Sequence, residues 1–316
     1  MTSPLRERRM TLLIVGLDGL DAGLVEHWDL DSFRLSRCRE IETFSYGHVR
    51  PYTLEVWPTI ATGLHPREHG VIKGDASDWE NPILDFLSQF AEHLPGNLQS
   101  RLGTYLDSVT SSSFGLATTS AETFFDGPQR TVENWPGVTS GKELVDVWNM
   151  TNAGYSSSAF DREVLGKAAG QFGWAREMLH HDPVLAGVHI HALDVFGHAY
   201  ANDRGDLTHS TGRIGDLERT YRNVAGKVDQ LRAALSDDDE LLILSDHGMT
   251  NELIDDSDVD FGSHSLRAFA ATTIDDPLPE TVFDIHDWVE NHVEAAEEEE
   301  AMEMPKEQLR ELGYIE

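Results

Sequence analysis

The sequence predicts an α/β fold: a doubly wound, mostly parallel central sheet with helices on both faces and a cap-like insertion. Three observations carry this. Leu12–Leu17, Val188–Leu193 and Leu241–Leu244 are apolar-rich runs of the kind that form strands buried on both faces. Between the later runs, Ile214, Leu217, Tyr221, Val224, Val228 and Leu231 recur near helical spacing, and helices alternating with parallel strands give a layered sandwich. Each run also delivers an aspartate, at Asp18, Asp194 and Asp246. Open α/β sheets bind their ligands at the carboxyl ends of their strands.

Taken in order, Leu12–Leu17 is the first strand and Asp21–Trp28 a short helix. Ile41–Val49 reads as a second strand or extended segment. Pro51 biases Arg50 to extended geometry, a helix opens near Thr53, and Gly63 suits its carboxyl cap. Leu64–Val71 is a turn back toward the sheet. From residue 75 to 140, scattered aromatics among Ser, Thr, Gly and Pro read as an insertion or cap, or else as an irregular part of the core. Lys142–Thr151 is a helix, Tyr155–Phe160 leads through a strand, and Val164–His180 is a helix before the Asp194 strand. Ile214–Leu235 is a helix before the Asp246 strand, and Thr281–His292 another. Residues 294–316 form an acidic carboxyl-terminal tail, with Glu294–Glu303 a solvated run. No internal repeat or linker divides residues 1–316, which predicts one domain.

Composition narrows the function. A chain of 316 residues with 40% hydrophobic residues has ample material for a core. The formal charge is −32, and lysine occurs only at Lys73, Lys142, Lys167, Lys227 and Lys306. Such an acidic excess repels nucleic acid duplexes and anionic membranes. It also fits a halophile's protein, whose self-repulsion is screened by concentrated salt. Cys38 is the single cysteine, so neither an intrachain disulfide nor a thiolate zinc cluster can form. Arg6, Arg8 and Arg9 precede an apolar run, as in a signal peptide. The run falls well short of the roughly 20 residues that span a bilayer, and it ends in Asp18. The sequence therefore predicts a soluble, cytoplasmic protein without membrane attachment. It gives no indication of oligomeric state.

The polar residues at the strand ends are Asp18, Asp194, His198, Asp246, His247 and His264. Carboxylate and imidazole together suit borderline divalent ions such as Zn²⁺ or Mn²⁺. Six ligands exceed what one catalytic zinc with an open position takes. They suit two metals about 4 Å apart sharing one substrate. Singly, an aspartate after a strand is more often a turn former or helix cap. The ordered set is what argues for a metal site. His189 and His191 read as packing or as outer support for ligands. Arg50, Arg67 and Lys73 read as surface charges before phosphate binders.

Asp18 after a strand, Asp194-x-x-x-His198, Asp246-His247-Gly248 and Gly262-x-His264 resemble the metal motifs of the alkaline phosphatase superfamily. The likeness is closest to its type I phosphodiesterase/nucleotide pyrophosphatase branch. It runs from Asp18 to His264, and Leu312-Gly313-Tyr314 resembles tails of related hydrolases. In that family a Thr or Ser nucleophile opens a helix nine residues before the Thr of a Thr-Gly pair. Here Thr62-Gly63 places it at Thr53, with Trp57 matching a frequent Trp, while Thr59 and Thr62 are the alternatives. The resemblance implies one metal on Asp18, Thr53, Asp246 and His247, and a second on Asp194, His198 and His264. It implies hydrolysis of a small phosphate ester, a phosphodiester or nucleotide pyrophosphate, through a phosphothreonine. Relatives often carry Pro-Asn or Pro-Ala where this chain has Glu55-Val56. No Cys-x-Pro-x-Arg-like box surrounds Thr53, which sets sulfatase chemistry aside. The rival readings are a phosphomonoesterase or phosphonate-ester hydrolase with the same metals, a phosphoryl transferase, and a metal-binding pseudoenzyme.

Overall fold

The computed structural model describes residues 10–71, 116–152, 157–201, 214–256, 258–296 and 310. Strand β1 (Leu12–Leu17) is buried at every position. Fully burying such a side chain stabilises by about 1.5–3 kcal/mol, so the run that mimics a signal peptide is the centre of the sheet. It pairs in parallel with β4 (Leu185–Ile190) on one side and β5 (Glu240–Leu244) on the other. Outside β4 lies β3 (Arg130–Glu133), also parallel. Beyond β5 come β8 (Arg267–Thr272), antiparallel, and then β2 (Arg37–Glu42), giving the order β2-β8-β5-β1-β4-β3. This is the predicted mostly parallel α/β sheet. Gly248–Met249 (β6) and His264–Ser265 (β7) make a separate two-stranded ribbon.

Alternation along β1 feeds two cores. Leu13, Val15 and Leu17 pack with α1 (Ala22–His27), α5 (Ser157–Met178), α6 (Ala192–Tyr200) and α7 (Ile214–Arg232). Leu12 and Ile14 face α2 (Thr53–Thr62) and α8 (Ile285–Glu290). Gly16 takes part in the second face: a Cβ there would sit 2.8 Å from Trp57, so the missing side chain lets α2 lie close on the sheet.

Several expectations are corrected. The strand leading to Phe160 is helix: α5 begins at Ser157, and α4 (Lys142–Asn152) precedes it. Phe160, Val164, Ala168, Phe172, Ala175 and Leu179 are all buried, and their three-to-four spacing continues one helical face back through Phe160. The second strand runs over Arg37–Glu42 rather than from Ile41 to Val49. It is an edge strand with only Ile41 buried, so it carries no apolar alternation. The Leu64–Val71 turn contains a one-turn helix, α3 (Pro66–His69), closed by a capping box of His65 and Glu68. The Asp194 strand stops at Ile190, and Asp194 lies in the first turn of α6.

Within the 75–140 segment, residues 75–115 lie outside the described residues. After them, Phe124, Phe125 and Trp135 are buried in the α2 core, and β3 is the sheet's edge. Most of the 294–316 tail, including Leu312-Gly313-Tyr314, and Lys73 also lie outside them. Among the described residues, no helix is long and apolar enough to cross a membrane.

Candidate metal centre

Three adjacent strands, β5, β1 and β4, end together and bring the charged residues to one place. Asp18 follows β1 directly, its N–H donating to Ile190 O at 3.1 Å. Gly19 then turns the chain with φ +72°, and a Cβ there would lie 2.8 Å from Asp194 Cα. Only glycine allows that approach of β1's end to α6. Asp194 and His198 are one helical turn apart on α6, with Asp194 Oδ1 3.3 Å from His198 Nε2. Asp246 and His247 follow β5, and the β6–β7 ribbon sets His264 beside His247 with rings stacked 3.7 Å apart.

The three histidines share one hydrogen-bonding arrangement. Nδ1 of His198 donates to Gly262 O at 2.6 Å, that of His264 to Pro51 O at 2.7 Å, and that of His247 to Gly248 O at 3.0 Å. A carbonyl can only accept, so each Nδ1 carries the proton and each Nε2 is left to face the cluster. His264 Nε2 lies 3.2 Å from Asp194 Oδ1. His247 Nε2 lies 3.3 Å from both Asp18 Oδ1 and Asp246 Oδ2, and 3.9 Å from Asp194 Oδ1. Asp194 Oδ1 and Asp246 Oδ2 are buried without a hydrogen-bond partner among the described residues. Buried carboxylate oxygens seldom stay unsatisfied, and a donor set of this kind fits divalent cations. All six sequence-selected ligands thus meet at one site, and Asp18, Asp246 and His247, like Asp194, His247 and His264, lie within ligand reach of each other.

Thr53 joins them. It opens α2, with its Oγ1 3.4 Å from Asp18 Oδ1 and 3.3 Å from His247 Nε2. The N-cap residue, Tyr52, makes no side-chain capping hydrogen bond, and the helix dipole favours negative charge there. The alternatives turn elsewhere: Thr59 Oγ1 donates to Glu55 O and Thr62 Oγ1 to Pro58 O. The Glu55 carboxylate accepts from Gly47 N–H at 3.2 Å. Arg50 donates to His264 O at 3.2 Å, and Arg67 is exposed beside Tyr46.

The charges polarise one another. Burial pushes the Asp18 carboxyl up, but the imidazoles of His191, His189 and His247 outweigh it and hold Asp18 well below the usual range. Burial also works against Asp194's charge, and His198 and His191 pull that carboxyl well down. Asp246 is pushed well up by burial and by the charges of Asp18 and Asp194. Burial lowers His247, yet Asp246, Asp18 and Asp194 raise it to about 10. His264, buried beside His247, falls to about 4.

Two supporting groups were hidden or half-hidden in the sequence. His189 Nε2 and His191 Nδ1 each lie 2.9 Å from Asp18 Oδ2, so both outer histidines support Asp18. These three could also reach a cation, but the Asn134 amide nitrogen donates to His189 O and also faces His189 Nδ1, 3.5 Å away. That leaves His189 Nε2 as a donor to Asp18 rather than a lone pair for a metal. The second group is Asp21, which caps α1 and accepts from Met249 N at 2.9 Å, Ser265 Oγ at 3.2 Å and Arg267 Nε at 2.9 Å. One buried carboxylate therefore ties the Asp18 turn to both strands of the histidine ribbon. No local pattern marks a pair 246 residues apart.

The model of the family described as type I phosphodiesterase / nucleotide pyrophosphatase matches residues 12–311, nearly the whole chain. None of the curated proteins matches it.

Proposed function

This chain belongs to the type I phosphodiesterase/nucleotide pyrophosphatase family of the alkaline phosphatase superfamily and is a phosphoric ester hydrolase; from that premise we propose that it cleaves phosphodiesters through a phosphothreonine on Thr53. The observation that carries this is Thr53 Oγ1, held at the start of α2 within 3.4 Å of both Asp18 Oδ1 and His247 Nε2. Asp18, Thr53, Asp246 and His247 would hold one divalent ion, and Asp194, His198 and His264 a second. Imidazole with carboxylate suits Zn²⁺ first and Mn²⁺ next. Such ions lower the pKa of a bound hydroxyl and stabilise charge on the reacting oxygens.

Thr53 Oγ forms the new bond to phosphorus as the bond to the departing alcohol breaks. The Thr53 proton has an acceptor in reach in Asp18 Oδ1, 3.4 Å from Thr53 Oγ1. Water then cleaves the phosphothreonine, regenerating the Thr53 hydroxyl and releasing a phosphomonoester. The amino terminus of α2 favours the phosphoryl charge throughout. Glu55, two residues on, has its carboxylate engaged by Gly47 N–H, and a diester brings less charge to this acidic site than a monoester dianion. The charge of −32 supports action in a salt-rich cytoplasm.

The test is turnover of an aryl phosphodiester and the matching monoester with Zn²⁺ or Mn²⁺. Thr53→Ala is expected to lower kcat/KM by about 10³ or more while keeping its metal, and Thr59→Ala to stay active. Near wild-type turnover by Thr53→Ala overturns the nucleophile. A monoester preference of about tenfold, roughly 1.4 kcal/mol in transition-state binding, overturns the substrate class in favour of a phosphatase.

A further inference from the structure

The two carboxylates that head the two half-sites are held in the same way. Asp18 turns Oδ1 toward Thr53 and His247, and Asp194 turns Oδ1 toward His198 and His264. The other oxygens share one partner, His191, with His189 as a second partner of Asp18 Oδ2. His191 Nδ1 is 2.9 Å from Asp18 Oδ2, and His191 Nε2 is 3.4 Å from Asp194 Oδ2.

His191 is well placed to hold both. It occupies the amino cap of α6, between the end of β4 and the first turn that carries Asp194. It is buried, so water does not compete for its nitrogens. Its two nitrogens sit on opposite sides of a rigid ring, and each faces one carboxylate. Nδ1 makes a hydrogen bond with Asp18 and Nε2 an ion-pair contact with Asp194, and an outer partner held against one carboxylate oxygen leaves the other as an oriented ligand.

We propose that His191 is a positioning residue that couples the two half-sites, fixing Asp18 and Asp194 so that each offers Oδ1 alone to its metal. This rests on the two-metal reading above. His189 supports Asp18 only, through Nε2, and does not reach across in the same way.

Asparagine places its amide nitrogen near the position of imidazole Nδ1, and glutamine near that of Nε2. His191→Asn therefore keeps a donor for Asp18 and loses the one for Asp194, and His191→Gln does the reverse. Each is measured in two backgrounds by zinc affinity in chelator competition. His264→Ala leaves the Asp18 half-site, and Asp246→Asn leaves the Asp194 half-site.

In the first background, adding His191→Gln is expected to weaken zinc about 10-fold or more, with His191→Asn near the parent. In the second background the order is expected to reverse. Zinc affinity unmoved by either variant overturns the proposal, as does equal weakening by both in both backgrounds, which a merely loosened fold would give. Two zinc ions in the wild type with unmoved His191 variants sinks this inference alone. No zinc in the wild type sinks it together with the two-metal reading.

Discussion

His198 and His264 face each other with their Nε2 atoms 3.1 Å apart, each ring anchored by its Nδ1–H on a backbone carbonyl. With each Nδ1–H committed to a carbonyl, both Nε2 atoms and Asp194 Oδ1 converge on one point, which a shared proton or a cation can occupy. A divalent cation there meets all three. Removing divalent metal is therefore expected to lower the thermal midpoint, and Zn²⁺ to restore it, because a ligand that binds only the folded state stabilises it. His264→Ala is expected to retain about half the wild-type zinc, one ion of two. Metal analysis after dialysis and a melting curve with and without chelator check this, and a midpoint indifferent to chelator goes against it.

Arg267 is the second point of leverage. Its Nε donates to Asp21 Oδ2, its Nη1 and Nη2 each lie 2.8 Å from an Asp255 oxygen, and Nη2 also donates to Met249 O. Burial raises the Asp21 carboxyl, and Arg267 opposes that rise. Replacing Arg267 by Met leaves Asp21 buried without its counter-charge, which costs about 3 kcal/mol in comparable buried pairs. The double variant Asp21→Asn, Arg267→Met is expected to recover part of that loss. Urea unfolding measures both, and a loss below about 1 kcal/mol for the single variant, the range of surface pairs, contradicts the role given to this pair.

Legibility in the sequence followed the range of the interaction that fixed each feature. Asp18 and Asp246 could be read because an apolar run and the carboxylate after it are neighbours in sequence. Thr53 could be read because the Gly63 cap and the family spacing are also local. Phe160 reads as strand because the three serines and Ala159 before it show no helical period of their own. β2 was misplaced because an edge strand reading Arg-Cys-Arg-Glu-Ile-Glu has no buried face to announce it. Asp21 with Arg267, and His191 with Asp18, are settled by tertiary contacts between strand ends, where residue type alone says nothing of the partner.

Salt is expected to matter for this chain more than for most. With a charge of −32, mutual repulsion opposes the folded state, and screening relieves it as the Debye length falls from about 10 Å at 0.1 M to about 3 Å at 1 M. The thermal midpoint should rise by several degrees between dilute buffer and molar KCl. A flat midpoint across that range would remove the halophile reading.

The pH dependence of stability should carry a component from His69, which is not among the proposed metal ligands. Its Nδ1 accepts from Val71 N–H at 3.1 Å, and its Nε2 lies 3.2 Å from Thr59 Oγ1, which in turn donates to Glu55 O. With its own proton committed to Glu55 O, Thr59 Oγ1 accepts from Nε2–H, so the ring is neutral with Nδ1 bare. Protonating Nδ1 would set two N–H groups against each other. Burial is the main cause of the shift, and the folded-state pKa falls from 6.5 to about 4. A depressed pKa means that the unfolded chain takes up the proton first. The stabilisation is therefore complete above about pH 6.5 and is lost as pH falls toward 4, on the order of 2 kcal/mol between pH 7 and pH 5. Carboxylates titrate in the same interval, so the informative quantity is the difference from His69→Asn, whose side-chain oxygen can still accept from Val71 N–H but does not titrate. Wild type is expected to lose more stability than that variant over this interval, measured by urea unfolding at fixed high salt. Parallel losses in the two proteins would show that His69 carries no part of the pH dependence.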